Sequence, residues 1–579
     1  MLHQLQSLDR LFLDLDSEKT SMAVTPLYFY DPSEMAGGVF SYPDFLTHMD
    51  RCARSIPALC GRLDRVAMDL DNPCLVEDER FDIGGHVQHR VLVDPRSIKE
   101  MSKAITDFHG SPIDMNRPLW EMLVISGINL KSLPKDCFLV ALKVHHAVAD
   151  GMTVMDMTAK MHGLTPVGNP VQLPSSNSLR QGLFGTATRI LTGNFKQSVQ
   201  LVSPLLQVAP KLSMKALNYS FERFGKPSSS APKTRFSGDV SAERVWGYTV
   251  LPLAEFKRIR KLIPGVTIND LVLTVVAGGL REYLADKNEL PESTLRAAAP
   301  ISVRTEAERS EAGNQVGMLS VDLPVQIEDP LEQLMLISKS ADQAKEAHEK
   351  LGGRAITDVI KYMPPAYMTY LGNMLGSSAN KLLVQMLGDT VVTNVPGPSQ
   401  EISLLGARLV NMSGAGPISH GCGLIHPVVS YNDKINIAVG SCPEMMPDVK
   451  FYTQCLFNSF ARLQQSVQAR YEGVLNAPKP EKSAAAKADR KPVSPSAANP
   501  ASRKCAPTNK KSVARAPKVA TVTTAKKSVA TTVKKPAAKT DNKAAASTVK
   551  NTPAKQPASG MNTVQTTAAE RTAEPAKTA

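Results

Sequence analysis

The stretch CFLVALKVHHAVADGM, residues 137–152, joins an apolar run to a polar turn and then to a helical spacing. Cys137 to Val144 is almost continuously apolar and of strand length, as expected of a strand buried on both faces. From Met152 to His162 the apolar residues recur at helical spacing. A strand-to-helix turn therefore carries two adjacent histidines, His145 and His146, followed by Asp150-Gly151. Successive strand side chains point to opposite faces, so the two histidines cannot both enter one channel if strand geometry persists into the turn. One then serves function and the other packs.

A neutral imidazole can take a proton from an alcohol and return it to a leaving group, a contribution of about 10²–10⁴ in rate. It needs a fixed tautomer and orientation. Asp150 can fix them directly, or it can cap the helix and pair with an arginine elsewhere; the stretch taken alone also reads as a polar turn. A His/His/Asp metal site lacks a third or fourth ligand nearby, so no metal is expected. A covalent hydrolase is disfavoured as well, because no GxSxG elbow occurs and GPISHG at 416–421 has the wrong spacing. A histidine without a nucleophilic partner points to direct attack by the substrate's own hydroxyl on an activated acyl group.

Around this turn the chain alternates strand-like and helix-like runs, the pattern of an α/β fold. Strands are predicted at Leu27–Tyr30 and Gly85–Val93, with helices at Tyr42–Cys60 and Asp94–Phe108. Further on, Val245–Leu251, Leu295–Val303, Leu424–Tyr431 and Ile435–Gly440 read as strands. Thr267–Lys287 reads as a helix whose start, TIND, offers Asn or Asp to cap free amides. The 579 residues are too many for one ordinary core. Four segments are expected: a first domain at 1–175, a basic amphipathic segment and linker at 176–235, a second domain at 236–476, and a disordered tail at 477–579.

The tail is set apart by composition, with no Phe, Tyr or Trp after Tyr471. Such a segment buries too little apolar area to offset its ordering entropy. From Ala477 onward there are 21 Lys/Arg against 5 Asp/Glu, leaving 46 basic and 49 acidic residues in the body, so the overall +13 belongs to the tail. Within it KKSVA recurs at 510–514 and 526–530, and TVK at 532–534 and 548–550, both offset by 16 residues. Lys dispersed among Ala, Pro and Thr resembles the tails of linker histones and histone-like bacterial proteins. It suits non-specific contact with nucleic acid or an anionic lipid surface, or a solvated linker. The segment from Ser176 to Lys226 carries seven Lys/Arg and one acid among apolar residues. It reads either as a membrane-surface element or as a pair of interdomain helices with a solvated basic face. Eight cysteines scattered without CxxC spacing fit a reducing cytoplasmic setting. No run approaches the roughly 18 apolar residues of a membrane span, so membrane contact is expected to be peripheral.

Five further stretches accompany the histidines: Arg117–Glu121 (RPLWE), Thr267–Asp270 (TIND), Ala299–Arg304 (APISVR), Gly313–Val316 (GNQV) and Thr393–Pro398 (TNVPGP). With them the sequence resembles the bacterial wax ester synthase/acyl-CoA:diacylglycerol acyltransferase family over nearly all of residues 1–475. HHxxxDG alone is shared with nonribosomal peptide condensation domains and other acyltransferases. The resemblance implies an α/β fold of two domains of the CoA-dependent, chloramphenicol acetyltransferase-like type, with the active site in a tunnel between them. It assigns the general base to His146, a supporting role to His145, and a structural salt bridge to Asp150, for which Arg304 is the candidate partner. Asn269 and Asp270 fall in a second motif near the acyl-CoA path, although helix capping is a physically adequate role for them. Trp120 and the Asn394–Pro398 loop are scaffold by this reading. Two departures stand out: Met22-Ala23-Val24 lacks a histidine often found after this Met in the family, and the basic tail is not a general family feature.

The implied reaction moves a long-chain acyl group from acyl-CoA to diacylglycerol, giving triacylglycerol, and/or to a fatty alcohol, giving wax ester. No cofactor is called for, acyl-CoA being a substrate. The rival readings are an acyltransferase acting on a polyketide or peptide acceptor, and an inactive lipid-droplet scaffold that tethers droplets to nucleic acid through its tail. The expected location is cytoplasmic, peripheral at the inner membrane or a lipid droplet.

Overall fold

A computed structural model of the chain describes residues 3–65, 71–149, 151–176, 234–302, 316–350, 363–376 and 388–472. In chain order the elements used below are β1 (His3–Gln4), α1 (Ser7–Leu15), β2 (Ala23–Asp31), α2 (Tyr42–Arg54), β3 (Gly61–Asp64), β4 (Cys74–Glu77), β5 (Val87–Val91), α3 (Ile98–Gly110), β6 (Trp120–Ile128), β7 (Cys137–His145) and α4 (Gly151–Met161). They continue with β8 (Val245–Pro252), α5 (Leu253–Leu262), α6 (Ile268–Asp286), β9 (Leu295–Ser302), β10 (Val316–Leu323), α7 (Pro330–Lys350) and α8 (Pro365–Gly376). The last are β11 (Thr390–Pro396), β12 (Ser403–Leu404), β13 (Ala407–Ala415), β14 (Ile425–Tyr431), β15 (Lys434–Ser441) and α9 (Val449–Val467).

Two six-stranded mixed sheets carry the fold, ordered β12-β13-β2-β7-β6-β5 and β10-β9-β11-β14-β15-β8, with a small β1-β4-β3 sheet beside them. The strand that delivers the histidines, β7, lies inside the first sheet, antiparallel to β2 and β6. All nine of its residues are buried, which explains its uninterrupted apolar run. Phe138, Val140, Leu142 and Val144 enter the core on one face, while Cys137, Leu139 and Ala141 enter the core shared with α3 and Trp246. Burying each large aliphatic or aromatic side chain contributes about 1.5–3 kcal/mol, so this strand is among the best-anchored elements.

The first sheet is completed from far along the chain. β13 pairs antiparallel with β2, and β12 with β13, so strands beyond residue 400 belong to the sheet built by residues 23–145. A linear division at residue 236 therefore does not follow the sheets. The β12–β13 loop is Leu405-Gly406, both at positive φ, the conformation of a two-residue turn that matches strand twist. The second core packs α6, α7 and α9 on the other sheet; α6 is buried nearly all round, including Leu271, Val272, Leu273, Val275 and Val276.

Two helix boundaries depart from the sequence reading. The run predicted as one helix at Tyr42–Cys60 is two, Tyr42–Arg54 and Pro57–Cys60, because Ile56 precedes a proline and is extended (φ −125°, ψ 115°). The helix predicted from Asp94 begins only at Ile98, where the Ser97 side chain accepts the Glu100 N–H and forms the cap.

Candidate active site

Strand geometry persists to the histidines. The His145 N–H donates to the Leu119 carbonyl (3.0 Å) and the His146 N–H to the Met22 carbonyl (2.8 Å), so consecutive amides reach the two neighbouring chain segments on either side. The side chains diverge accordingly. His145 is buried; its Nδ1 accepts the Ala147 N–H (3.1 Å), which leaves the proton on Nε2, and Nε2 faces Asp16 Oδ1 at 3.6 Å. The Val148 N–H donates to the His145 carbonyl (3.0 Å), closing the turn. His145 thus holds the turn together.

His146 is half-buried, and its ring stacks on Phe12 with centroids 4.1 Å apart and planes 15° apart. Phe12 belongs to α1, whose own position is set by α8 of the second half. Arg10 Nη2 donates to Thr369 Oγ1 (3.0 Å), Ser7 Oγ to the Met363 carbonyl (2.8 Å), and Arg10 Nε to Asp14 (3.1 Å). Gly372 makes the approach possible: a Cβ there would lie 2.5 Å from Asp14 Cβ. Asp16, just after α1, accepts the Met22 N–H (2.7 Å) and so fixes the residue whose carbonyl holds His146.

Lys143, two residues before His145, is fully buried. Its ammonium donates to the Phe108 carbonyl (3.0 Å), the Ser111 carbonyl (2.5 Å) and Ser111 Oγ (2.9 Å), and lies 3.3 Å from Glu121 Oε2. It caps the C-terminal end of α3, and burial lowers its pKa against the raising effect of Glu121. Three other histidines are locked in the neutral form by burial. His109 and His426 are pushed down to about 3, and His162 to about 4. His109 bridges Thr25 Oγ1 and the Gly416 carbonyl, His162 Tyr30 and the Thr158 carbonyl, and His426 Thr390 and Tyr452. They are core hydrogen-bonding groups.

The remaining candidates are placed as follows. Asp150 and Arg304 lie outside the described residues, as do 177–233 and the tail from 477. Asn269 is half-buried in the first turn of α6. Asp270 is buried; its Oδ2 accepts the Thr267 N–H (2.8 Å) and its own N–H donates to Thr267 Oγ1 (3.2 Å), a reciprocal capping box. The cap is therefore Thr267. The bonds of Asp270 stay within this helix start, and its Oδ1 is buried with no hydrogen-bond partner. Trp120 is fully buried, its Nε1–H donating to the Leu59 carbonyl (2.7 Å) and its ring stacked on His86. Phe12 and Asp16 were not identified from the sequence. Among the described residues no three His, Cys, Asp or Glu side chains are grouped to hold a metal ion, and no helix is long and apolar enough to cross a membrane.

Comparison with known proteins matches residues 5–272 to the wax ester synthase/diacylglycerol acyltransferase catalytic domain and residues 312–464 to the C-terminal domain of the same family. A Mycobacterium tuberculosis protein named as a candidate diacylglycerol O-acyltransferase is 30% identical over 449 residues, 76% of this chain and 92% of that protein. An Acinetobacter baylyi O-acyltransferase is 27% identical over 481 residues, 81% of this chain and 97% of that protein. Among solved structures, the wax ester synthase/diacylglycerol acyltransferase from Marinobacter aquaeolei superposes with a TM-score of 0.54 at 22% identity, over 80% of this chain and 99% of that one. A trichothecene 15-O-acetyltransferase from Fusarium sporotrichioides gives 0.51 at 11% identity, over 80% and 94%. The shared architecture is the mixed α/β fold of CoA-dependent acyltransferases.

Proposed function

Because the chain belongs to the wax ester synthase/diacylglycerol acyltransferase family, we propose that the turn at 145–149 is its acyl-transfer centre and that His146 is the general base. The protein is an O-acyltransferase that moves an acyl group from acyl-CoA to the hydroxyl of diacylglycerol or of an alcohol. The observation that carries the assignment of the base is the contrast between neighbours. His145 is buried and spends Nδ1 on the Ala147 amide, whereas His146 is half-buried and oriented by a ring contact with Phe12. The His146 imidazole takes the acceptor's hydroxyl proton as that oxygen bonds to the thioester carbonyl carbon. The tetrahedral intermediate then collapses, the C–S bond breaks, and the imidazolium returns the proton to the CoA thiolate. Asp150 serves as a structural anion for the turn, with Arg304 as its partner; Asn269 shapes the acyl-CoA side, and Asp270 caps the helix that carries it.

The acceptor lipids are insoluble in water, so the enzyme works at a membrane or droplet surface without spanning it. The basic tail, 477–579, supplies non-specific affinity for nucleic acid; a steeply salt-sensitive gel shift given by the full chain and lost when it ends at Asn476 is the signature of that role. The test of the catalytic assignment uses purified protein, labelled palmitoyl-CoA and competing diacylglycerol and fatty alcohol, with lipid products separated. His146→Ala is expected to lose about 10³–10⁴ in turnover while remaining folded. Near-normal turnover by that variant, with turnover lost in His145→Ala, would reverse the assignment.

A further inference from the structure

The second sheet ends on β8, whose outer edge is left open. Where β8 runs out, the Leu253 N–H donates to the Asp433 carbonyl (2.8 Å), the rung that follows Pro252 opposite Lys434. Bonded rungs alternate along an antiparallel pair, so Thr249 and Leu251 bond to β15 while Trp246, Tyr248 and Val250 turn their N–H and C=O groups outward. Two further observations agree. The Ser102 hydroxyl of α3 donates to the Trp246 carbonyl (3.1 Å), and Pro252, which has no N–H, falls on the outward side. Tyr248 and Val250 thus keep two N–H and two C=O groups that no backbone or side chain takes up among the described residues.

These groups open into a groove of about 930 Å³ lined by α3, β13, the β14–β15 hairpin tip and the start of α9. Ile98, Leu133 and Val410 line it beside Tyr248 and Val250, so its wall along the strand is apolar. The lining holds six cations, Lys99, Lys103, Arg244, Arg408, Lys434 and Lys450, against two carboxylates, Glu401 and Asp433. Lys103 and Arg408 are paired with Asp107 (2.9 Å) and Asp31 (3.1 Å), and Arg244 and Lys434 donate to backbone carbonyls. Lys99 and Lys450 have no such partner among the described residues. Leu409 of the lining lies opposite Tyr30, and Tyr30 opposite Phe138, seven residues before His145; a rise of about 3.3 Å per residue puts roughly 23 Å between this end of the groove and the histidine turn.

We propose that the groove takes up an extended acidic segment of a partner protein as an added strand on β8. Its N–H and C=O groups pair with Tyr248 and Val250, its alternate apolar side chains meet Ile98, Leu133 and Val410, and its carboxylates meet Lys99 and Lys450. The chain's own tail, with 21 Lys/Arg against 5 Asp/Glu, has the wrong charge for this lining. Nucleic acid satisfies the cations but brings no row of donors and acceptors at strand spacing, and the edge of a second folded copy does not reach into a groove bounded by four elements. The groove is therefore a recruitment site separate from the acyl-transfer centre, and it stands whether or not the assignment of the base does.

The test uses the full chain and a fluorescein-labelled seven-residue peptide alternating Glu and Val, read by fluorescence anisotropy. Its Lys-for-Glu counterpart and two copies N-methylated at the odd or the even amides serve as controls. Wild type is expected to bind the acidic peptide saturably and the Lys peptide far more weakly. One N-methylated copy, and only one, is expected to lose about tenfold or more, because strand pairing uses alternate amides. V250P removes one outward N–H and leaves the rungs at Thr249 and Leu251, so it is expected to bind about tenfold more weakly while acyl transfer is unchanged. K99E/K450E is expected to weaken binding as well. No saturable binding of the acidic peptide, equal binding of the Lys peptide, both N-methylated copies binding as the parent does, or an active V250P that binds as wild type does would each overturn the proposal. If V250P fails to fold, the N-methylated copies on wild type decide the same point.

Discussion

Asp16 is joined to the catalytic turn by two bonds in series, from its carboxylate to the Met22 amide and from the Met22 carbonyl to the His146 amide. The same oxygen, Asp16 Oδ1, lies 3.6 Å from His145 Nε2. Asp16→Ala is expected to lower kcat about tenfold together with a stability loss of about 1–3 kcal/mol, since the Met22 amide loses its acceptor and the buried His145 Nε2 loses the carboxylate it faces. Asp16→Asn, which keeps an acceptor for Met22, should recover most of the stability. Urea denaturation and steady-state kinetics on the two variants check this, and equal kcat in wild type and Asp16→Ala would remove Asp16 from the supporting set. The histidines were legible in the sequence because the apolar run fixes a strand and the strand fixes alternation. Asp16 and Phe12 were not, because periodicity reports which face of a helix is apolar and is silent about what that face meets some 130 residues away.

The first turn of α6 separates capping from catalysis at the scale of an element. Thr267 and Asp270 exchange bonds across the helix start, and this exchange uses only one oxygen of the carboxylate. Thr267→Ala and Asp270→Ala should each cost about 1 kcal/mol of stability, as loss of a cap does, and leave kcat for palmitoyl-CoA unchanged. A kcat loss confined to Asp270→Ala would instead give its unpartnered Oδ1 a part in the reaction. TIND before an apolar run was sufficient to place this helix. Pro57 was an equally plain signal that the run from Tyr42 breaks at Ile56, and Ser97 was the true cap of the helix expected from Asp94. The pairing of β13 with β2 had no local signature at all: its residues alternate as any half-buried strand does, and nothing in that alternation selects a partner in a sheet begun almost 400 residues earlier.

Across the whole molecule, acid sensitivity should be set by the histidines rather than by the carboxylates. His109, His162 and His426 have folded-state values of about 3, 4 and 3, below the 6.5 of an unfolded chain, because burial penalises the imidazolium. Between about pH 4 and 6.5 the unfolded chain therefore binds protons that the folded chain refuses, and stability present above 6.5 is lost as the pH falls. Each group contributes up to about 1.4 kcal/mol per pH unit, so the three together lose at most about 6 kcal/mol between pH 6.5 and 5. The paired carboxylates Asp31, Glu255, Glu289, Glu444 and Asp448 are shifted down, and their contribution is lost only as the pH falls further, through the ordinary carboxylate range. The two groups thus act in different windows. Denaturant unfolding of the full chain at pH 7, 6 and 5 should show a midpoint that falls steadily across that range. Replacing His162 by Gln should flatten the fall, since a group that does not titrate keeps the Tyr30 and Thr158 contacts without the proton penalty. A midpoint constant from pH 7 to 5, or a slope unaltered in the His162 variant, would show that these histidines are accessible to protons in the folded state, contrary to their burial beneath both sheets.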